Sequence, residues 1–134
     1  MFVTGHTGFK GGWLTLWLYA LGARVHGYAL DPLTQPNLCD AVRIPSLVTS
    51  DVRTDLSDRA RLTTAVRAAE PSVVFHLAAQ PLVRQSYADP LETYAVNVVG
   101  TANVLNAVRH TDSVRAANAN SRNGSAELSS PRIR

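Results

Sequence analysis

The sequence predicts an α/β fold built on a doubly wound, mainly parallel sheet, and three observations carry that prediction. Short apolar runs alternate with segments of helical period along the first 115 residues. A glycine-rich stretch, "VTGHTGFKGG" at residues 3–12, stands between the first apolar run and the first helical one. The run Val73-Val74-Phe75-His76-Leu77-Ala78 is almost continuously apolar, as in a strand covered on both faces. With 134 residues, 46% of them hydrophobic and 17% charged, the chain is long enough for one modest globular domain.

Met1 to Thr4 reads as the end of a short buried strand. Residues 12–22, "GWLTLWLYALG", give three helical turns with Trp13, Leu14, Trp17, Leu18 and Leu21 at helical spacing and Gly22 as the stop. A second strand, "RVHGYAL" at 24–30, closes at Asp31-Pro32. Pro32, Pro36 and Pro45 with no clean period make residues 31–45 a loop, and a third strand falls near Leu47 to Asp51. Asp58 caps a helix from Arg59 to about Ala69, with Leu62, Ala65 and Val66 on its apolar face, and Pro71 ends it. The fourth strand is Val73 to Ala78. Asp89-Pro90-Leu91-Glu92 starts another helix, with Asp at the N-cap, Pro in the first turn and Glu placed to complete a capping box. That helix runs to about Arg109 and buries Tyr94, Val98, Leu105 and Val108.

From Ala116 the sequence "AANANSRNGSAELSSPRIR" has no period and few large apolar groups. Residues 1–115 are therefore expected to form an incomplete domain of about four strands and three helices, and 116–134 a disordered or frameshifted tail. With no fifth strand, the outer edge of the fourth is left unpaired. "VVFHLA" carries no charge, proline or bulge to blunt it, so the chain is expected to be marginally folded and to self-associate through that edge.

Composition excludes several classes of function. The net charge of +3 comes from arginines scattered along the chain, including Arg24, Arg43, Arg59, Arg84 and Arg109, with no basic block, which speaks against nucleic acid. Cys39 stands alone, so there is neither a disulfide framework nor a CxxC metal pair, and no metal site is expected. The apolar stretch Trp13 to Leu21 is too short to span a bilayer. A cytoplasmic setting with no membrane partner is the expectation.

The glycines carry the chemistry. Gly5, Gly8 and Gly11 are spaced GxxGxxG, follow a strand, open a helix, and precede Asp31 at the end of the second strand by twenty positions from Gly11. Glycine permits the positive φ of a tight turn and lets the backbone approach a pyrophosphate. The N–H groups at the helix start then receive the anion. A carboxylate at Asp31 would accept hydrogen bonds from a ribose diol and repel a 2′-phosphate, favouring NAD over NADP. The bland alternatives are a glycine turn without a ligand and, for Asp31, an ordinary turn aspartate before Pro32. His76 inside an apolar strand reads as a satisfied core histidine, His6 as a turn residue exposing its ring, and Cys39 as a bystander. Lys10 either reaches a phosphate or is solvated, and Arg84 either contacts phosphates or makes a surface ion pair.

TGxxGxxG at Thr4 to Gly11 resembles the Rossmann-like cofactor domain of the extended short-chain dehydrogenase/reductase superfamily. "VTGHTGFKGGWL", "GYALDP", "FHLAAQPLVRQSY" and "DPLETYAVNVVGTANVL" resemble its CDP-glucose 4,6-dehydratase branch, in register over residues 1 to 115. The resemblance implies that Gly5, Gly8, Phe9 and Gly11 wrap the NAD pyrophosphate, with Thr7 and Lys10 beside them, and that Asp31 holds the adenosine ribose. It implies an adenine contact at Asp55-Leu56, for which Asp51-Val52 is a rival register. Leu77, Ala78, Ala79 and Gln80 would line the nicotinamide side, Asn97 would support the site from its helix, and Gln80 and Arg84 would meet the sugar nucleotide, CDP-glucose. Homo-oligomers are implied for full-length relatives.

The reaction implied is an internal redox cycle: hydride leaves C4 of the hexose for NAD, water is lost across C5 and C6, and the hydride returns to C6. It requires a Tyr-x-x-x-Lys pair and a Thr-Ser-Asp-Lys stretch after the fifth strand. Tyr19, Tyr28, Tyr87 and Tyr94 are not followed by lysine at the fourth place, and the lone lysine is Lys10. After Val114 the sequence reads Arg115-Ala116-Ala117-Asn118. The expectation is an N-terminal dehydratase portion, inactive alone, with the abrupt change near 115 read as a frameshift or mis-called gene end. The alternatives are another sugar-nucleotide epimerase or dehydratase, and a nucleotide-binding protein without catalysis.

Overall fold

The computed structural model describes residues 1–121 and 124–128. Six strands lie in the order β3-β2-β1-β4-β5-β6. They are β1 Phe2–Thr4, β2 His26–Ala29, β3 Ser50–Arg53, β4 Val73–His76, β5 Ala116–Ser121 and β6 Gly124–Leu128. The first five pair in parallel, and β6 returns antiparallel to β5. The helices are α1 Phe9–Ala20, α2 Leu38–Ala41, α3 Arg59–Ala69, α4 Val83–Ala88, α5 Pro90–Tyr94 and α6 Gly100–Arg109, with a π-helical segment, Ala95–Val99, joining α5 to α6. Among the described residues no helix is long and apolar enough to cross a membrane.

The doubly wound arrangement follows from the two-residue period of the strands. Phe2 and Val74 turn one way, with Tyr28, into a core with Leu62 and Val66 of α3 and Val104 and Ala107 of α6. Val3 turns the other way, onto Val25 and Leu18 of α1. Local chemistry sets the helix starts. The Asp58 carboxylate accepts from the Arg61 N–H at 2.9 Å, and Asp89 accepts from the Glu92 N–H at 2.9 Å. The expected capping box at Glu92 does not close, because the Asp89 N–H already donates to the carbonyl of Gln85 at 2.8 Å. Glu92 instead accepts from Gln85 Nε2 at 2.9 Å.

Three expectations are corrected, and the orientation of α1, which the residue spacing left open, is set. Helix α1 does not bury its large apolar residues: Trp13, Trp17 and Leu21 are 54%, 65% and 68% exposed, while Gly11, Gly12, Thr15 and Leu18 face inward. The helix lies too close to the turn before it for anything bulkier on that side. The loop expected at 31–45 contains α2, whose start is capped by Asn37 accepting from the Asp40 N–H at 2.8 Å, and the third strand falls slightly later, at Ser50–Arg53. Tyr94 and Val98 are 67% and 54% exposed, because the wider π turn breaks the 3.6-residue stripe; Val104 and Ala107 take the buried positions.

The third correction concerns the edge of the sheet. Residues 116–121 continue it, with Val73 to His76 in register with Ala116 to Ala119, so the outer row of β4 is paired and the route to self-association through it is closed. Alanine and asparagine are weak strand formers, so here tertiary pairing overrides local preference. Residues 122–123 and 129–134 of the expected tail lie outside the described residues.

A chain of hydrogen bonds ties the layers together. Thr4 Oγ1 accepts from the Leu77 and Ala78 N–H groups at 3.2 and 3.3 Å, so its own proton goes to His76 Nδ1, 2.7 Å away. His76 therefore carries its proton on Nε2, which donates to Thr101 Oγ1 at 2.9 Å, and Thr101 donates to the Asn97 carbonyl at 2.7 Å. This is the satisfied core histidine expected from the sequence. Burial holds its pKa down to about 4.

Two outcomes follow. The unfolded chain takes up a proton near pH 6.5 that folded His76 refuses until about 4, so stability is intact above pH 6.5 and lost as pH falls toward 4, by about 3 kcal/mol in all. Burial lowers the pKa of His6 and His26 as well, which acts in the same sense. Thermal melts from pH 7.5 to 4.5 check this, and a flat midpoint would contradict it. Leu18→Ala should cost about 2–5 kcal/mol, and Trp17→Ala only about 0.5 kcal/mol, measured by chemical denaturation. The opposite ranking would contradict the outward orientation of Trp17.

Candidate functional site

At the end of β1 the chain turns at Gly5, whose φ of +74° lies in the left-handed region. A Cβ there would sit 2.7 Å from the Ala78 nitrogen and 2.9 Å from the Leu77 carbonyl carbon. A Cβ on Gly11 would overlap the carbonyl oxygen of Gly5. The packing of the chain thus demands both glycines. Gly8 is different. It is exposed, its φ of −76° suits any residue, and an added Cβ would meet only the Gly5 oxygen at 3.4 Å.

Gly8 is also the N-cap of α1, with no side-chain cap and no acidic residue in the first turn. The first bond of the helix runs from the Gly12 N–H to the Gly8 carbonyl, 2.7 Å. The N–H groups of Phe9, Lys10 and Gly11 precede it without intrahelical partners, at the positive end of the helix dipole. An uncapped helix start of this kind suits an anion.

The turn opens on a cavity of about 480 Å³ at the carboxyl ends of the strands, where the crossover direction of the sheet reverses between β1 and β4. Gly5, Thr7, Gly8, Phe9, Asp31, Asp55, Leu56, Leu77, Ala78 and Ala79 line it. Gly11 is buried behind the turn, while Lys10 and Arg84 are exposed and do not line it. Gln80 and Asn97 engage each other beside it: Asn97 Oδ1 accepts from the Gln80 N–H at 2.8 Å, and Asn97 Nδ2 donates to the Gln80 carbonyl at 3.1 Å. The π-helical segment presents Asn97 for this clamp.

Of the two rival acidic pairs, Asp55-Leu56 lines the cavity and Asp51-Val52 does not. The Tyr28 hydroxyl donates to the Asp55 carbonyl at 3.0 Å, and Asn103 Nδ2 to the Leu56 carbonyl at 2.9 Å, so both residues are held in place. Burial pushes the Tyr28 phenol up to about 12, keeping it a donor. One wall, from Leu30 through Leu38, was hidden by reading that stretch as loop; the Asn37 and Asp40 spacing was the available signal of order there.

His6 is not exposed but fully buried, a further correction. A Cβ on Gly27 would fall 2.6 Å from its ring, so that glycine makes the room. Its Nε2 lies 2.8 Å from Asp51 Oδ1. Burial outweighs the pull of Asp51 and lowers the His6 pKa, so the neutral ring donates from Nε2. Arg53 grips the same carboxylate, Nε on Oδ1 at 2.6 Å and one terminal nitrogen on Oδ2 at 2.7 Å. Burial works to raise the Asp51 pKa, but the Arg53 and His6 bonds overcome it and hold the group ionised. The other terminal nitrogen of Arg53 reaches Asp31 Oδ1 at 3.2 Å. Burial pushes the Cys39 thiol up, leaving it a weak nucleophile.

The sequence profile described as GDP-mannose 4,6 dehydratase matches residues 2–123. The chain is 49% identical over 116 residues to a CDP-glucose 4,6-dehydratase of Salmonella typhimurium, covering 87% of this chain and 32% of that protein. Among solved structures it is similar to the UDP-glucose 4-epimerase of Thermus thermophilus in complex with NAD, with 34% identity, a TM-score of 0.68, and 82% and 33% of the two chains covered. It is also similar to the UDP-glucose 4-epimerase of Brucella ovis in complex with NAD, with 30% identity, a TM-score of 0.67, and 84% and 32% covered. The chain spans about a third of the length of these relatives. The glycine turn, the strand order and the strand-end residues agree with that likeness, and the chain belongs to the GDP-mannose 4,6 dehydratase family of short-chain dehydratases and epimerases.

Proposed function

We propose that this chain binds NAD in the cavity at the ends of β1, β2 and β4, and that it forms the cofactor-binding portion of a sugar-nucleotide 4,6-dehydratase acting on CDP-glucose. The observation that carries the reading is Gly8: neither its backbone angles nor its neighbours require glycine, yet it stands where the uncapped N-terminus of α1 faces the cavity. An approaching pyrophosphate explains both the missing Cβ and the missing cap. The likeness to a CDP-glucose 4,6-dehydratase and to NAD-complexed epimerases supports the choice of ligand.

The roles of the residues follow from their positions. The N–H groups that open α1 take the pyrophosphate, with Thr7 fixed alongside by its bond to the Leu30 carbonyl at 2.9 Å. Asp31, at the end of β2, accepts from the adenosine ribose, and Asp55 and Leu56 border the adenine. Leu77, Ala78 and Ala79 form the nicotinamide side. Asn97 positions that segment through the backbone of Gln80, without itself lining the cavity. Gln80 and exposed Arg84 are the proposed contacts to the sugar nucleotide. NAD supplies hydride transfer when bound. The proton-relay pair Tyr-x-x-x-Lys is not among these residues, since the lone lysine is Lys10, so the chain by itself binds and does not turn over.

Calorimetric titration with NAD tests the site. Gly8→Ala should weaken NAD about tenfold or more while leaving the melting temperature unchanged, because the added Cβ meets the ligand and not the protein. Gly11→Ala should instead lower the melting temperature. Equal NAD affinity in the Gly8 variant would remove the support for the pyrophosphate assignment. A second outcome concerns catalysis: the pure 134-residue chain with NAD and CDP-glucose should form no 4-keto-6-deoxy product, followed by its absorbance in alkali.

A further inference from the structure

Behind Asp31, which lines the cavity, stands a second charge, Arg53, which does not itself line it. The register pairs Ala29 with Arg53, which sets the guanidinium beside the end of β2, two residues before Asp31. Three of its nitrogens are engaged: two on Asp51, one on Asp31. Asp51 cannot turn away, because buried His6 holds it from the other side. The Asp31 side chain, in contrast, is 85% exposed at the cavity, and its bond to Arg53 is the longest of the set at 3.2 Å.

We propose that Arg53 is a specificity-determining residue, a guanidinium anchored at the ribose 2′ position and masked by Asp31; the proposal rests on the dinucleotide reading of the cavity. With Asp31 present, its carboxylate meets the 2′-hydroxyl and repels a 2′-phosphate, but the adjoining positive charge tempers that repulsion. With Asp31 removed, the nitrogen that held it is free to donate to an anion, while the Asp51 grip keeps the guanidinium from swinging into solvent. A lone selecting aspartate would lose its preference on removal. A masked arginine makes removal reverse the preference.

The test is calorimetric binding of NAD and NADP to the full chain and to three variants, Asp31→Ser, Arg53→Gln and the double change. The full chain is expected to favour NAD. Asp31→Ser should favour NADP by about tenfold or more, and adding Arg53→Gln should return the two affinities to near equality. Arg53→Gln alone should sharpen the NAD preference. If Asp31→Ser and the double variant show the same NADP-to-NAD ratio, the proposal is overturned. Because Arg53→Gln also loosens the Asp51 anchor, the Asp31→Ser measurement stands by itself: equal affinities there, without reversal, overturn the proposal with Arg53 untouched. Any of these results with NAD still bound leaves the cofactor site intact. Failure of the full chain to bind either dinucleotide overturns the site and this proposal together.

Discussion

The close approach of three backbone segments at Gly5 constrains the rest of the structure. The end of β1, the end of β4 and the start of α1 meet there at distances that no Cβ fits. Because α1 must begin directly above the turn, its inner face is limited to Gly11, Gly12 and Thr15 before a larger residue, Leu18, can enter the core. Because β4 must pass beside Gly5, the segment Leu77 to Ala79 is brought to the mouth of the turn. The candidate site is in this sense a by-product of packing. The tight junction aims unsatisfied N–H groups into a cavity that the strand ends already enclose.

Two polar chains hold the strand ends at the rim. One runs from Thr4 through His76 and Thr101 to Asn97, whose amide then grips Gln80. The other runs from His6 through Asp51 and Arg53 to Asp31. The first is satisfied along its length. The second leaves His6 Nδ1 without a hydrogen-bond partner among the described residues, and burial favours the neutral ring. Each chain starts on or beside the glycine turn and ends at a residue proposed to serve the ligand. The cavity rim is therefore fixed by hydrogen bonds together with the apolar packing of Leu56, Leu77 and Ala78 onto the two layers.

Much of this was legible in the sequence wherever local chemistry decides the outcome. The glycine spacing, the caps at Asp58 and Asp89 and the placement of Asp31 depend on residues a few positions apart, whereas the pair Asp55-Leu56 came from the family resemblance, with Asp51-Val52 as its rival. What could not be read depends on distant partners. A helical stripe of Trp13, Trp17 and Leu21 is a sound sign of a buried face until the neighbouring turn forces the helix to lie on its glycines. Ala116 to Ser121 has no strand propensity of its own and pairs because β4 offers an open row of backbone groups. The π-helical segment left no periodic sign, since it takes its place from the contact between Asn97 and Gln80.

The outward orientation of α1 also decides what light the protein emits. Both tryptophans of the chain, Trp13 and Trp17, stand on one solvent-facing side of a single helix. Trp13 meets the ring of Phe9 edge-on, centroids 6.4 Å apart and planes at 78°, and Phe9 lines the cavity. Trp17, one turn further along, has no such aromatic contact among the described residues. Intrinsic fluorescence therefore carries two superposed signals, one coupled through Phe9 to whatever enters the cavity and one that serves as a solvent reference on the same helix.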